Sequence, residues 1–298
     1  MPVASLMSDN LLDVLSCDEW GPSRVKPRSI VFDLYGDYLR YDDGAAPLQT
    51  LTDLLVGFDV PEATTRVVMT RLRKEGWFDT EKRGRTTVYR LTDKSWRLLD
   101  EGRKRIFQRE REPWDRQWRV VIYHVPETDR AARERVRKKL RWLGFGPLAP
   151  STWVSPHERL QEAAEGLAEE PSVRLDLLIS RSMGAASDID MAGRCWELKE
   201  LHRALLAKRD SYRALLARFG SAPPRGRDAL VERTRLVHDY RMLPFDDPDL
   251  PMELVPAGWV GRDVHDLFLD LHERLAPEAE GFCSSLGIGP LNKTSVHA

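Results

Sequence analysis

Arg66, Arg71, Arg73 and Lys74 crowd one short stretch of the 298-residue chain, and Lys82, Arg83 and Arg85 follow around a single glycine, Gly84. Cations interleaved with Thr64, Val67 and Thr70 suit a polyanion that also offers hydrogen-bond acceptors and methyl groups. Duplex DNA offers both. Arginine can hold guanine through two hydrogen bonds, threonine reaches a base or a phosphate, and Ala63 and Val67 match thymine methyls. Cations at a hairpin tip suit phosphates or the minor groove. The candidate contacts are therefore Thr64, Arg66, Val67, Thr70, Arg71 and Lys74 on one element and Lys82, Arg83 and Arg85 on the next. Two blander readings compete with this one: a solvated charged helix, and a module that binds protein rather than DNA.

These side chains need a rigid frame. From Arg28, apolar residues recur at spacings of three and four (Ile30, Phe32, Leu34, Tyr35, Tyr38, Leu39), which predicts a helix that stops at Asp42-Asp43-Gly44. A second helix is predicted over 48–56. A third opens at Pro61, carries Glu62 in its first turn and ends at Gly76. Thr65, Val68, Met69 and Leu72 share one of its faces and are assigned to the core, which turns the DNA-contact candidates outward. Two β-rich runs, 77–81 and 86–91, flank the Gly84 tip, where a positive φ is required. A helix capped by Thr92 or Asp93 follows. Three helices and a basic hairpin are the plan of a winged helix-turn-helix, which lays a helix in the major groove and a hairpin on the neighbouring backbone.

The rest of the chain reads as two further parts. WRVVIYHV (118–125), a basic helix ending at Gly144, a short strand at 152–154, a helix at 160–168 and VRLDLLIS (173–180) predict a small α/β sandwich of ferredoxin-like type. Beyond it the pattern is mostly helical: one long helix from Ala192 to Phe219, another over 230–243, a proline-rich elbow at 244–251, and a last helix over 261–276. The expected class is α+β and multidomain: a weakly ordered arm (1–27), a winged helix with linker helix (28–112), a ferredoxin-like domain (113–185) and a helical domain (186–298).

Charge is segregated under a net of −1: residues 1–60 carry −6, 61–112 carry +6, 113–227 carry +6 and 228–298 carry −7. A basic middle favours polyanionic partners. The three cysteines, Cys17, Cys195 and Cys283, form no CxxC pair, so neither a disulfide framework nor a zinc ribbon is expected. No apolar run approaches membrane-helix length, and the first residues lack a basic, then apolar, leader pattern. A cytoplasmic protein is expected. No GxSxG, HExxH, phosphate loop or GxGxxG pattern points to an enzyme, and no cofactor is expected.

Several stretches together resemble the PaaX-like family of phenylacetic-acid-degradation repressors: PRSIVFDLYGDYLR (27–40), TRLRKEGWF (70–78), RGRTTVYRLT (83–92), WDRQWRVVIYHVPE (114–127) and, most specifically, HDYRMLPFDDPDLPMELVPAGWVGR (238–262). The resemblance spans about residues 27–280. It implies a homodimeric repressor that binds operator DNA and is released by phenylacetyl-CoA or a related acyl-CoA. Such a ligand needs clustered cations and an apolar pocket. Arg203, Arg241, Trp259 and Arg262 are the expected set, drawn from a wider group with Lys208, Arg209, Arg213, Trp196, Tyr240 and Phe245. A cleft between the central and helical domains is the expected place, although core packing also accounts for each aromatic. The resemblance further gives the middle domain the fold of a small CRISPR-associated nuclease. That leaves a metal-dependent nuclease as the alternative function, with His124 at the end of the first strand and Asp129 beyond it. No acidic partner for His124 is evident in the sequence, and magnesium prefers several oxygen ligands.

Overall fold

A proline at its first position starts α1 (Pro27–Asp37), a helix buried on nearly every face: Ile30, Val31, Phe32, Leu34 and Tyr35 are all covered. Ser29, Asp33 and Asp37 are buried as well, so this helix needs partners on all sides, polar ones included. The computed structural model describes residues 26–109, 113–168 and 170–289. The expected arm lies outside them, save Lys26 and Pro27. Two units are distinguished. One comprises 26–108, 210–242 and 265–289; the other Arg109, 113–209 and 243–264.

In the first unit α1 is followed by a 3-10 turn (Leu39–Tyr41), β1 (Ala45–Pro47), α2 (Leu48–Val56), α3 (Glu62–Lys74), β2 (Phe78–Arg83), β3 (Thr86–Leu91) and α4 (Asp93–Phe107). The sheet is antiparallel with order β1-β3-β2. β1 escapes sequence reading because three residues are too few for an alternation to show. Leu51, Leu54 and Leu55 of α2, Met69 and Leu72 of α3, and Trp77, Phe78 and Val88 around the hairpin are buried in this unit with α1. Phe32 meets Trp77 edge-on at 5.4 Å between ring centroids, an arrangement that suits the ring quadrupoles. Thr92 caps α4, its Oγ1 accepting the Ser95 N–H, as expected.

The same unit contains the end of α8 (Leu198–Ser221), all of α9 (Gly226–Tyr240) and most of α11 (Gly261–Ser285). These helices come from the expected helical domain (186–298), whose remaining described residues, 186–209 and 243–264, lie in the second unit. α9 lies against α1. The last helix also runs on to Ser285, through Pro277, beyond the Ala276 end expected from sequence.

The second unit has β4 (Trp118–His124), α5 (Arg130–Trp142), β5 (Gly146–Ala149), β6 (Thr152–Ser155), α6 (Leu160–Leu167) and β7 (Arg174–Ser180). The connectivity is βαββαβ, and the antiparallel sheet has order β5-β6-β4-β7. Val121, Tyr123 and Trp153 pack under Val136, Leu140, Ala163 and Leu167 of the two helices. The other face, through Trp118 and Val154, is covered by α7 (Ala185–Cys195) and by Leu250, Leu254 and Val255, which follow α10 (Leu243–Asp246). The single helix expected from Ala192 to Phe219 is broken. α7 ends at Cys195, Trp196 is extended, and α8 begins at Leu198. The break lets Trp196 stack on Trp118, with ring centroids 6.4 Å apart. Trp196 also lies against Gly146, where an added Cβ would come within 2.6 Å of its ring.

Candidate nucleic-acid interface

The outward face of α3 is as the residue spacing predicts. Thr65, Met69 and Leu72 are buried and Val68, expected with them, is only half-buried, whereas Arg66, Val67, Thr70, Arg71, Arg73 and Lys74 are exposed and Thr64 is half-buried. Val67 is 68% exposed. An apolar side chain held in water amid cations gains nothing from the fold itself, and a thymine methyl would cover it. Leu72 and Met69 fix how the helix is rotated, so the exposed set is presented by packing and not by its own preference.

The hairpin tip is equally open. Lys82, Arg83, Gly84 and Arg85 are all exposed. Gly84 has φ of 62°, and nothing lies within 4 Å of where a Cβ would stand. The glycine thus serves the turn's backbone rather than a close contact.

Most of these arginines are held by neighbouring acids. Arg66 pairs with Glu62, Arg71 Nε donates to Glu75 Oε1 at 2.9 Å, and Arg83 Nε donates to Glu81 Oε1 at 3.2 Å. Such exposed pairs are weak, about 0–1 kcal/mol each. They can exchange for phosphate at little cost while keeping the guanidiniums extended. Glu62 and Glu75 stand four residues from their arginines along α3, and Glu81 two residues from Arg83 along β2. Glu75 also accepts from Arg28, which ties α3 to the start of α1. Burial pushes the Glu75 carboxyl up, but the bonds from Arg28 and Arg71 more than offset this and hold it below its ordinary range. Lys94 lies over the Trp77 ring at 3.7 Å and donates to the Glu75 carbonyl, fastening the end of α3 to α4.

The expected effector residues fare differently. Arg241 is buried: its Nε lies 3.1 Å from Asp33 Oδ1, and its Nη2 is 3.3 Å from His238 Nδ1. That guanidinium is committed to α1 and is withdrawn as a ligand contact. Arg203 is exposed and paired with Glu200 at 2.6 Å; Arg262 is exposed; Trp259 is half-buried with its ring 5.3 Å from that of His202. These three belong to the second unit, Arg241 to the first. Tyr240, from the wider group, is fully buried, stacked on Phe268 at 4.0 Å and hydrogen-bonded to His265.

The residues invoked for a nuclease have other tasks. Asp129 caps α5 by accepting the Ala132 N–H at 3.0 Å, and it also accepts from Ser172. These bonds hold its carboxyl below the usual range, the Ala132 N–H contributing most. His124 does have an acidic partner that the sequence hid: its Nε2 lies 2.7 Å from Asp176 Oδ2, on the neighbouring strand. The pair is remote in sequence and is joined only by the β4–β7 register. Among the described residues, no group of three or more His, Cys, Asp or Glu side chains is arranged to hold a metal ion. No described helix is long and apolar enough to cross a membrane.

Residues 26–95 match the family described as PaaX-like protein, residues 111–192 the PaaX protein central Cas2-like domain, and residues 196–285 the PaaX-like protein C-terminal domain. Among solved structures, an uncharacterized protein, Rv0674, from Mycobacterium tuberculosis shares the fold with a TM-score of 0.57. It is 22% identical, and the match covers 88% of this chain and 99% of that one. Among curated proteins, the transcriptional repressor PaaX of Escherichia coli (strain K12) is 32% identical over 272 residues, 88% of this chain and 84% of the relative. That relative is a regulator and not an enzyme. Identity at that level over nearly all of both proteins, together with three successive domain matches, places this chain in the PaaX-like family.

Proposed function

We propose that the chain is a DNA-binding transcriptional repressor. Residues 28–107 act as a winged helix-turn-helix, with α3 in the major groove and the Gly84 hairpin on the flanking backbone. The observation that carries this reading is the exposed α3 face, on which Val67 and Thr70 stand between Arg66, Arg71 and Lys74 beside an open cationic tip. The E. coli relative, a transcriptional repressor, supports it. As a homodimer the protein would read two half-sites about one helical turn apart, or a multiple of it.

The effector in this reading is an acyl-CoA thioester of the phenylacetyl-CoA type, which lowers operator affinity by favouring a different spacing of the reading helices. The ferredoxin-like middle domain and the segments packed on it would carry the effector contacts. Arg203 and Arg262 supply cations there and Trp259 an aromatic wall.

The test is a gel shift on the DNA upstream of the protein's own gene and its neighbouring operon, with and without a panel of CoA thioesters. Specific retardation, abolished on replacing Thr70 and Arg71 by alanine and relieved by one thioester, is the expected result. Equal retardation of any duplex, unchanged by those substitutions, overturns it.

A further inference from the structure

α5 holds its arginines in two different ways. Arg135 is neutralised: its Nε and Nη2 donate to the two carboxylate oxygens of Glu170 at 2.7 and 2.8 Å. Arg130, Arg133, Arg137 and Arg141 lie elsewhere on the helix. At about 100° per residue they fall within about 80° of one another and form a single row. Arg130 and Arg141 are exposed, and Arg133 and Arg137 are half-buried. Their partners are mostly neutral. Arg133 Nη2 donates to the Pro126 carbonyl at 3.3 Å, and Arg137 Nε to the Tyr123 hydroxyl at 3.2 Å. The Arg141 guanidinium lies 5.7 Å from the centroid of the Trp153 ring. A carbonyl, a phenol oxygen and an indole face orient a cation without cancelling its charge. Two of these supports are core residues: Tyr123 and Trp153 are buried, and the Tyr123 hydroxyl is itself fixed by donating to the Pro150 carbonyl at 2.9 Å. Among the described residues, Glu134 is the one carboxylate paired with the row, through Arg137, and it is largely in water.

Such a row is not neutral for the helix. Arg133–Arg137 and Arg137–Arg141 are like charges four residues apart, a spacing that destabilises. A line of negative charge laid along the row turns that repulsion into attraction. We propose that this side of α5 is a surface for duplex DNA, separate from α3 and the Gly84 hairpin, and that it grips the phosphate backbone regardless of sequence.

The spacing of the charges selects this occupant. From Arg130 to Arg141 the row runs about 16 Å along the helix axis. Each strand of B-DNA places a phosphate about every 3.4 Å of its own axis, so a row of this length meets several. The phosphates of a CoA sit on one nucleotide and suit a concave, partly apolar site instead. α5 also contains no Ser, Thr, Asn or Gln to share in reading base edges, so phosphate contact is the role its cations fit.

The test combines Arg130→Gln, Arg133→Gln and Arg141→Gln in the full chain and leaves the Tyr123-bound Arg137 in place. On a duplex of unrelated sequence the triple variant should bind about 30-fold more weakly at low salt. The slope of log K against log salt should flatten by about 2–3, one step for each lost phosphate contact. Circular dichroism should stay unchanged. The matching Arg→Lys triple should recover most of the affinity, because lysine meets phosphate as a point charge. The surface is wrong if the parent protein fails to bind that duplex at low salt, if the Gln triple keeps the parent's affinity and slope, or if the Lys triple is as weak as the Gln triple. It is equally wrong if the Gln triple keeps its DNA affinity and loses binding of phenylacetyl-CoA instead. The repressor reading is judged apart from this, by sequence-specific retardation of the operator and its loss in the Thr70 and Arg71 variants.

Discussion

Arginine–carboxylate pairs occur in two settings within the unit built on α1–α4. On α3 and the hairpin they are exposed: Arg66–Glu62, Arg71–Glu75 and Arg83–Glu81. On α1 they are sealed. Asp33 Oδ2 lies 2.7 Å from His238 Nδ1, and its Oδ1 lies 3.1 Å from Arg241 Nε; Asp37 Oδ1 lies 2.9 Å from His272 Nε2, with Arg233 Nη1 3.3 Å from Oδ2. Two aspartates one turn apart are each met by a histidine and an arginine from α9 and α11. Arg233 also donates to the His272 carbonyl at 3.1 Å. The chemistry is the same, but the solvent differs. In water such a pair is a weak latch that phosphate can replace. Buried, it cannot be broken without stranding a charge, so it fixes which helices pack on α1.

The largest expected effect tests the sealed side. Asp37→Ala leaves His272 without its carboxylate and Arg233 with only the more distant Glu280, at 3.9 Å, and should cost about 3–5 kcal/mol of stability in urea unfolding. A loss under about 1 kcal/mol would erase the contrast. Next comes the open side. Replacing Lys82, Arg83 and Arg85 together by alanine should lower operator affinity about 100-fold. It should also flatten the slope of log K against log salt by about 2–3, one step for each phosphate no longer neutralised, with stability nearly unchanged.

Alkaline titration sharpens the comparison further. Burial, with Asp37 nearby, pushes the Cys283 thiol up to about 12. A group raised in the folded state stabilises below its unfolded pKa and loses that contribution as pH rises. Stability should therefore decline above pH of about 9, less steeply in Cys283→Ala, and native Cys283 should resist alkylation at pH of about 8 until the helices separate. The smallest effect is Arg66→Ala, expected to change thermal stability by under about 0.5 kcal/mol while weakening DNA binding. A stability loss several times larger would show that the exposed latch is structural after all.

Much of the unit built on α1–α4 was legible because its signals are local. Thr65, Met69 and Leu72 mark the inner face of α3 by their spacing, and the Gly84 tip with its flanking β-rich runs marks the hairpin. Arg241 misled for the opposite reason. Its stretch, HDYRMLP, carries the family resemblance, but what occupies its guanidinium is Asp33, more than 200 positions earlier. The break at Trp196 was hidden because a tryptophan continues a helical stripe as readily as it ends one, until Trp118 and Gly146 claim it. His124 likewise showed no acidic partner until two strands were paired.

Local pattern alone thus determined the module order, the turn chemistry and the outward set on α3, since helical and strand periods act over a few residues. Tertiary structure decided which helices belong with α1, whether a given arginine is latch or keystone, and that an apolar strand lies at a sheet's edge. Those outcomes depend on desolvation and on the register between distant segments, and neither is written in neighbouring residues.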